Sequence, residues 1–454
     1  MDFGSIARAG AWVVGGIVLV LVSLYLLVVA VNWHDEPPSA AVLQLERLHA
    51  GRPRVADASN AWVHALGIAA TPASSPLELG RQRKMFLDGP STTAHAARRL
   101  PGDEVAYRAA RSKDVSELAN RCGDPDDACL QLLRAYPERV ANWLVSERWL
   151  LLRYRDMIAL PHWVETVPGD FMAPLAGYEH ALGGQTLHLL EAWQAARAGD
   201  AHAVRGLLQD DMRFWRNVLA SSDLLITKMI ATRAVQRNLG MGNLALRELP
   251  AAKQAAGMPP AWQEPLTTQE RSLMRALAGE WRATRAAIAS VGWTDRSQPA
   301  TGLVARVVER IRMPLFKPQA TGNLSAARFV QAGVASQAAY AELERSIRGV
   351  TQRERPTRTR LFNPIGRLLD QTIGDTYLHY AARPSDLEGL RRATVLAATV
   401  RRDGIAAEEM ERVLRSSPVR NPYDGSAFDW DADAGSIVVR GLQRGEPGRK
   451  AVLL

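Results

Sequence analysis

The stretch AWVVGGIVLVLVSLYLLVVAV, residues 11–31, contains no charged residue and lies close to the start of the chain. At about 1.5 Å per residue a helix of this length extends roughly 31 Å, which matches the hydrocarbon core of a bilayer, about 30 Å thick. Trp12 and Trp33 stand near its two ends, where interfacial aromatic side chains are common. The stretch predicts a single transmembrane helix that carries the rest of the 454-residue chain on one side of a membrane.

The charges around this helix predict its orientation. Arg8 precedes the apolar stretch, whereas Asp35 and Glu36 follow it. Because positive charge is retained on the cytoplasmic side, we expect residues 1–10 to be cytoplasmic and the large remainder to be exported. Long domains cross the membrane largely regardless of their own charge, so the net charge of +9 does not oppose this orientation.

A cleaved signal peptide is the alternative interpretation, with Val28, Val29 and Ala30 as its cleavage site. The apolar part of a signal peptide is commonly about 7–15 residues long. The present stretch is longer, which favours a retained anchor. No cysteine follows it directly, and this excludes a lipoprotein.

The two cysteines of the chain, Cys122 and Cys129, lie close together in the segment RCGDPDDACL. Gly, Asp and Pro between them favour a turn that brings the sulfur atoms within bonding range. The pair predicts one local disulfide and an oxidising compartment. Free thiols are the alternative. A metal site would need more ligands, and the CxxC spacing of redox proteins is absent.

Arginine supplies most of the positive charge, since only six of the 56 basic residues are lysine. Basic clusters occur at Arg353, Arg355, Arg358, Arg360, Arg391, Arg392, Arg401 and Arg402. They could attract anionic lipid head groups or an acidic partner. Solvated loops and helix faces are the alternative, which charge patterning favours. Nucleic acid is not expected as a partner, because the domain is exported and has no recognition motif.

The remaining segments predict an all-α fold. We predict a juxtamembrane linker with a short helix at residues 32–56. Residues 57–417 are predicted to form one large helical domain. Turn residues alternate with strand-like residues over 418–442, which predicts a small β-hairpin. The tail, 443–454, is expected to be frayed.

Apolar residues recur at helical spacing throughout the domain. We predict helices at residues 39–49, 140–154, 186–198, 201–220, 222–239, 267–290, 325–348, 364–381, 385–404 and 406–415. The helices at 186–198 and 201–220, joined by Gly199 and Asp200, form an αα-hairpin pattern. Thr267 with Glu270, and Ser385 with Glu388, have the spacing of capping boxes.

Several short fragments occur together along the chain. They are Asn60-Ala61-Trp62 with Leu66-Gly67, Pro76 with Gly80, the cysteine pair, Arg153-Tyr154 before Leu160-Pro161, Phe362-Asn363-Pro364-Ile365-Gly366, and the NPYDG segment with its strands. In this combination the chain resembles a group of single-pass proteobacterial inner-membrane proteins. The resemblance implies an inner-membrane anchor and a helical periplasmic domain, and it supplies no catalytic residue, substrate or cofactor.

Common catalytic motifs are missing: the sequence contains no HExxH, GxSxG, Walker A or SxxK pattern. The best metal candidates are two spaced pairs, His162 with Glu165 and His188 with Glu191, with Glu179 and His180 between them. Residues three apart share a helix face, so the pairs could converge on an ion. Dinuclear carboxylate bundles use the reverse order, Glu-x-x-His, and this favours ordinary polar positions on an amphipathic helix.

Two further patterns have a functional and a structural interpretation. Asp429, Asp431 and Asp433 resemble the start of a calcium loop, but the glycine and glutamate of an EF-hand are missing, which favours a hairpin turn. Seven tryptophans could line a groove for a peptide or acyl chain, rimmed by a loop at residues 172–184, although core packing is favoured. They are Trp143, Trp149, Trp163, Trp193, Trp215, Trp262 and Trp281.

The sequence therefore favours a non-enzymatic envelope protein that binds or scaffolds a protein partner beside the inner membrane, with no cofactor. Two alternatives are a metal-dependent envelope hydrolase that uses the His/Glu residues and a protein with a lipid- or peptide-binding groove.

Overall fold

The computed structural model is mainly helical over the residues that it describes, which are 3–89, 99–102, 113–123, 125–168, 174, 176–291, 311, 313–351, 361–373, 377–443, 445 and 448–454. The helices are α1 (Phe3–Val31), α2 (Ala40–Ala50), α3 (Ala61–Gly67), α4 (Pro76–Asp88), α5 (Lys113–Arg121), α6 (Asp127–Ala135), α7 (Pro137–Ser146), α8 (Arg148–Ile158), α9 (Glu179–Arg197), α10 (Ala201–Ser221), α11 (Leu225–Glu248), α12 (Ala251–Gly257), α13 (Thr268–Arg271), α14 (Met274–Val291), α15 (Pro318–Ala335), α16 (Tyr340–Thr351), α17 (Pro364–Ile373), α18 (Leu378–Arg402) and α19 (Met410–Ser416). A small antiparallel sheet contains β1 (Asp429–Asp431), β2 (Ser436–Arg440) and β3 (Arg449–Leu453).

Helix α1 contains the predicted apolar stretch and extends beyond it toward the amino terminus. Over Gly10–Val31 its mean hydropathy is 2.9, and none of this stretch is buried in the protein. The helix is therefore long and apolar enough to cross a membrane.

The segment after α1 is fixed to the domain by buried hydrogen bonds. The side-chain amide of Asn32 donates to the Leu361 carbonyl at 2.7 Å, and its oxygen accepts from the Asn363 main-chain N–H at 2.7 Å. Asp35 accepts from the main-chain N–H groups of Gln319 and Ala320, both at 2.9 Å, at the amino end of α15. These partners make the predicted linker an ordered part of the domain.

The predicted αα-hairpin is confirmed, and it forms the centre of the larger hydrophobic cluster. Gly199 connects α9 and α10 with a positive φ of 73°, a conformation that glycine adopts without steric strain. Asp200 then caps α10 by accepting from the Ala203 N–H at 3.0 Å. The first helix begins at Glu179, so the prediction that residues 172–184 form a loop is wrong for positions 179–184.

A buried polar network connects α8, α9, α10 and α11 inside this cluster. Asp211 accepts hydrogen bonds from the Tyr154 hydroxyl, from the Gln185 amide at 3.1 Å and from the Asn238 amide at 2.8 Å. The indole of Trp215 donates to the Tyr154 oxygen at 2.8 Å. Because these groups are buried, each needs its partner inside the protein.

A second hydrophobic cluster lies between α2, α14, α15 and the start of α18. It contains Val42 and Leu45 of α2 together with Leu277, Trp281 and Phe329. Ser39 caps α2 by accepting from the Val42 N–H at 3.4 Å, which confirms the short predicted helix after the linker. Leu225, in the first turn of α11, also belongs to this cluster, so α11 connects the two.

Two helices predicted as continuous are broken. Residues 140–154 divide at Glu147 into α7 and α8, and the buried Glu147 carboxylate accepts from the Trp143 indole at 2.9 Å. Residues 325–348 divide after Ser336, whose hydroxyl donates to the Gly333 carbonyl and accepts from the Leu273 N–H at 2.9 Å. The Ser336 hydroxyl is thus held by a tertiary hydrogen bond at the break, whereas the Trp143–Glu147 bond is local and joins residues four apart.

The two predicted capping boxes have different outcomes. Thr267 and Glu270 form one, but the helix it opens, α13, ends at Arg271 before α14 begins. Ser385 and Glu388 lie inside α18, so the second prediction is wrong. Glu388 instead accepts from Arg391, Arg392 and the Leu266 main-chain N–H.

Three other predicted helices also have different limits. Helix α11 continues to Glu248, beyond the predicted end at 239. The region 364–381 contains α17 and the start of α18, and residues 374–376 lie outside the described residues. The last predicted helix, 406–415, is a 3-10 turn at Ala407–Glu409 followed by α19.

The predicted β-hairpin is confirmed, with Asp429 opposite Val438 and Asp431 opposite Ser436. The expectation of a frayed tail is wrong, because β3 pairs with β2 along its whole length and buries Val452. The Leu453 carbonyl accepts from Asn243 at 2.9 Å. The tail thus closes over the helical core.

Cys122 and Cys129 form the predicted disulfide, with their Cα atoms 5.1 Å apart. Both residues are buried in the larger hydrophobic cluster. The bridge joins the end of α5 to the start of α6.

Replacing Asp211 with alanine is expected to destabilise the domain. The Tyr154 hydroxyl and the amides of Gln185 and Asn238 would lose their shared acceptor. An unsatisfied buried polar group costs about 1–3 kcal/mol, so we expect the free energy of unfolding to fall by about 3 kcal/mol or more. Denaturant titration of the full-length protein in detergent micelles measures it. Asp210→Ala, an exposed neighbour on α10, is the matched control, and equal losses in both variants would contradict the prediction.

Candidate functional site

The four candidate metal ligands do not lie together. The Glu165 carboxylate is buried and accepts from the main-chain N–H groups of Asp223 at 2.7 Å and Leu224 at 3.0 Å, and from the Thr227 hydroxyl. Burial raises the pKa of Glu165 to about 7. His162 is exposed, and its carbonyl accepts from the Ala61 N–H at 2.8 Å.

His188 and Glu191 have other partners. A ring nitrogen of the buried His188 is 2.9 Å from the Leu207 carbonyl oxygen, and its ring packs against Tyr154. Glu191 forms an ion pair with Arg155. Among the described residues no group of three or more His, Cys, Asp or Glu side chains could hold a metal ion.

The aspartates of the proposed calcium loop are engaged in the hairpin. Asp429 forms an ion pair with Arg440 at 2.7 Å, and Asp431 forms one with Arg449 at 2.9 Å. Asp431 also accepts from the Ala434 main-chain N–H at 3.0 Å, as a turn-forming aspartate does.

The tryptophans pack in the two hydrophobic clusters. Six side chains are buried: Trp143, Trp163, Trp193, Trp215, Trp262 and Trp281. Trp149 is half-buried and packs against the larger cluster. Their arrangement is that of a core.

The basic clusters are engaged within the protein where the structure describes them. Arg391 and Arg392 bind Glu388, and Arg401 donates to the Asn243 side-chain oxygen at 2.9 Å. Arg353, Arg355, Arg358 and Arg360 lie outside the described residues.

A cavity of about 830 Å³ opens between the end of α2, the α10–α11 junction and the α13–α14 junction. We call it the Lys228 cleft. Its basic side chains are Arg47, Lys228 and Arg275, and its amide and hydroxyl side chains are Gln44, Ser222, Thr268, Gln269, Ser272 and Gln337. Among the described lining residues none is Asp or Glu. Its side chains therefore favour an anion.

Lys228 lies in the first turn of α11 and is only 2 % exposed. Its ammonium group donates to the Leu219 carbonyl and, at 3.5 Å, to the Gln269 carbonyl. The pKa of Lys228 is lowered to about 7, mainly by burial; the charge of Glu270 opposes this change and that of Arg275 adds to it. Glu270 is itself bound by Arg216, at 2.5 and 3.0 Å.

The position of Lys228 follows from how α11 begins. Its N-cap, Leu224, has no capping side chain, so partners for the first N–H groups must come from elsewhere. The Glu165 carboxylate accepts from the Leu224 N–H at 3.0 Å, and the Glu280 carboxylate of α14 accepts from the Leu225 N–H at 3.0 Å. Asp223, just before the helix, binds Arg275 through two hydrogen bonds of 3.0 and 3.1 Å.

Comparison of the chain with protein-family models, with curated proteins and with solved structures found no match. The geometry of the cleft is thus the basis for assigning a function.

The sequence interpretation missed the three basic residues of the cleft. One signal was present: Lys228 interrupts the apolar run around Leu224, Leu225, Met229 and Ile230, and lysine is rarely buried. Arg47, which follows Glu46, carries no comparable signal. Arg275 also interrupts an apolar run, Leu273 to Ala278, but neither run indicates that these residues meet in one cleft.

The effect of Lys228 on stability is expected to depend on pH. Its pKa is lower in the folded chain than the usual value of 10.5, so the unfolded chain binds more protons between pH 7 and pH 10.5. The free energy of unfolding should therefore rise with pH across this window, by up to about 1.4 kcal/mol per pH unit. Lys228→Met should lack this contribution.

Denaturant titration of both proteins at several pH values from 7 to 9 tests this expectation. The stability of Lys228→Met relative to the native protein should decrease as the pH rises. Lys253→Met, which removes an exposed lysine on α12, is the matched control. A constant difference between Lys228→Met and the native protein would show that Lys228 keeps its proton in the fold.

Proposed function

We propose that this protein is a single-pass envelope protein whose domain binds a small anionic ligand in the Lys228 cleft. The observation that carries the proposal is the side-chain composition of the cleft: three basic residues and no carboxylate among the described lining residues. We infer a binding role, as the sequence also favoured, because the candidate metal ligands Glu165, His188 and Glu191 each have a partner within the protein.

The anchor is proposed to remain attached to the domain. The Tyr25 hydroxyl donates to the Ile311 carbonyl at 3.3 Å, and the Asn32 side chain donates to the Val28 carbonyl at 2.7 Å. Cleavage after Ala30 would remove the partners Tyr25 and Val28. These contacts support a retained helix over a cleaved signal peptide.

The inner membrane and periplasm are the proposed location. The disulfide between Cys122 and Cys129 is typical of an oxidising compartment. Arg8 before the helix and Asp35 with Glu36 after it favour an exported domain. The resemblance to proteobacterial inner-membrane proteins supports the same assignment.

The charge balance inside the cleft supports an anionic ligand. Asp223 is not among the lining residues, and it binds two arginines, Arg275 and, at 3.7 Å, Arg52. Lys228 has only main-chain carbonyls as hydrogen-bond acceptors among the described residues. An anion in the cleft would stabilise its ammonium form, because opposite charges interact strongly where water is partly excluded.

Arg47 adds charge at the opening. It is exposed in the last turn of α2, and its guanidinium donates to the Leu43 carbonyl at 3.2 Å. The neutral side chains around it offer further hydrogen-bond donors to carboxylate, phosphate or sulfate oxygens. The proposed ligand is therefore a small solute that carries one of these groups.

Sulfate is a suitable probe, because its charge does not change near neutral pH. We expect full-length protein in detergent to bind sulfate, and Lys228→Met to lose at least about tenfold in affinity, equivalent to about 1.4 kcal/mol. Calorimetric titration at constant ionic strength, with chloride as the replacing anion, measures the affinity. Lys253→Met should bind as the native protein does.

The pH dependence gives a second readout. Since sulfate binds the ammonium form, affinity should fall as the pH rises above 7, where Lys228 loses its proton. Lys228→Met should not show this fall. Equal affinities in the native protein and in both variants at every pH would disprove the anion site.

A further inference from the structure

The side-chain nitrogen of Lys228 lies at the wall of the Lys228 cleft. It donates to the Leu219 carbonyl, and the next residue along the chain, Ala220, lines the cleft. Its second acceptor, the Gln269 carbonyl at 3.5 Å, belongs to another lining residue. The nitrogen is therefore held between two segments that form the surface of the cavity.

The hydrogen bonds of Lys228 leave one position on this nitrogen for a ligand. Of its tetrahedral positions, the side chain takes one and the carbonyls of Leu219 and Gln269 take two. Among the described residues no third acceptor is hydrogen-bonded to it. In the neutral amine the remaining position holds the lone pair, which is the nucleophile of a lysine.

The surroundings of Lys228 favour the neutral amine. The side chain is only 2 % exposed, and both of its hydrogen-bond acceptors are uncharged. Loss of hydration without a paired carboxylate disfavours the charged form, and the pKa of Lys228 is accordingly lowered to about 7. Lysines placed in this way form Schiff bases with carbonyl compounds, because the lone pair is available at neutral pH.

Arg275 indicates which carbonyl compound the cleft would take. It lines the cleft, and its positive charge acts on Lys228, so the two groups lie close together. Its Nε and Nη2 atoms bind Asp223, and its Nη1 atom has no hydrogen-bond partner among the described residues. Nη1 can therefore donate to a carboxylate of a ligand. In a 2-oxo acid the carbonyl carbon is bonded directly to the carboxyl carbon, so a carboxylate on Arg275 brings the reacting carbon toward Lys228.

We propose that Lys228 captures a small 2-oxo acid as a reversible imine, with the carboxylate of the ligand bound by Arg275. The inference rests on the proposed anion site and names its class of ligand. The lone pair of the amine attacks the carbonyl carbon and a C–N bond forms. The carbonyl oxygen then takes both amine hydrogens and leaves as water, so the step needs no oxidant or reductant. When the imine is protonated, its N–H can donate to the Leu219 carbonyl.

Reductive trapping tests the capture in the full-length protein in detergent micelles. Pyruvate is the probe, and sodium cyanoborohydride reduces an imine to a stable secondary amine. The chain contains six lysines, so peptide mapping by mass spectrometry compares Lys228 with the others in the same molecules. Lys253 is the internal control, because it is exposed and also donates to a main-chain carbonyl, that of Gly199 at 2.9 Å.

We expect pyruvate to label Lys228 at least about tenfold faster than Lys253, because a bound carboxylate holds the carbonyl carbon beside the amine. Acetone has the carbonyl but no carboxylate and should show no such preference. Excess sulfate should slow the labelling of Lys228 and leave that of Lys253 unchanged.

Labelling of Lys228 no faster than that of Lys253 would overturn the inference. If sulfate still binds the protein, only the imine is removed and the anion site stands. If sulfate does not bind either, the proposed function is removed as well. The same preference for Lys228 with acetone as with pyruvate would show a reactive amine without a carboxylate site, and would overturn the assignment of a 2-oxo acid. The comparison uses the native protein, so it does not depend on the folding of a variant.

Discussion

The amino end of α11 is the constraint on which the rest of the domain depends. A long helix begins inside the protein without its own capping side chain, so its first N–H groups need partners from other segments. Glu165 and Glu280 provide them, and thereby fix the segment after α8 and helix α14 to α11. Gly279 allows this approach, because a Cβ there would lie 1.9 Å from the Asp223 carbonyl oxygen. Because both carboxylates accept from main-chain N–H groups, neither pairs with Lys228, which donates to main-chain carbonyls instead.

Local signals account for the parts of the fold that the sequence predicts well. The uncharged stretch of α1, the spacing of the two cysteines and the turn at Gly199 each depend on neighbouring residues. The break at Ser336 accompanies a hydrogen bond from the distant Leu273 N–H, which the helical pattern does not indicate. At the break at Glu147 the carboxylate accepts from the Trp143 indole, four residues earlier, so this contact is local. Thr267 caps a helix, whereas Ser385, with the same spacing to a glutamate, lies inside one. Glu388 binds Arg391, Arg392 and the distant Leu266 N–H, and its sequence spacing to Ser385 does not indicate this last partner.

The candidate site was less predictable, because its residues come from segments far apart in the chain. The spacing of His188 and Glu191 predicted a shared metal site. In the fold His188 contacts the Leu207 carbonyl and Glu191 pairs with Arg155. Arg47, Lys228 and Arg275 meet only after α2, α11 and α14 have packed together. Lys228 and Arg275 each interrupt an apolar run, but only the tertiary structure shows that they meet with Arg47 in one cleft.

The closure of the core by β3 has a consequence for the order of folding. Asn243 of α11 donates to the Leu453 carbonyl, 210 positions later in the chain, and Arg401 donates to the same oxygen. At synthesis rates of about 5–20 residues per second, β3 follows α11 after roughly 10–40 s. During that interval Asn243 lacks this partner and the helical core lacks the strand that closes over it. Exposed apolar surface in an incompletely folded domain is prone to aggregation, so the core is complete only once the last strand has been made.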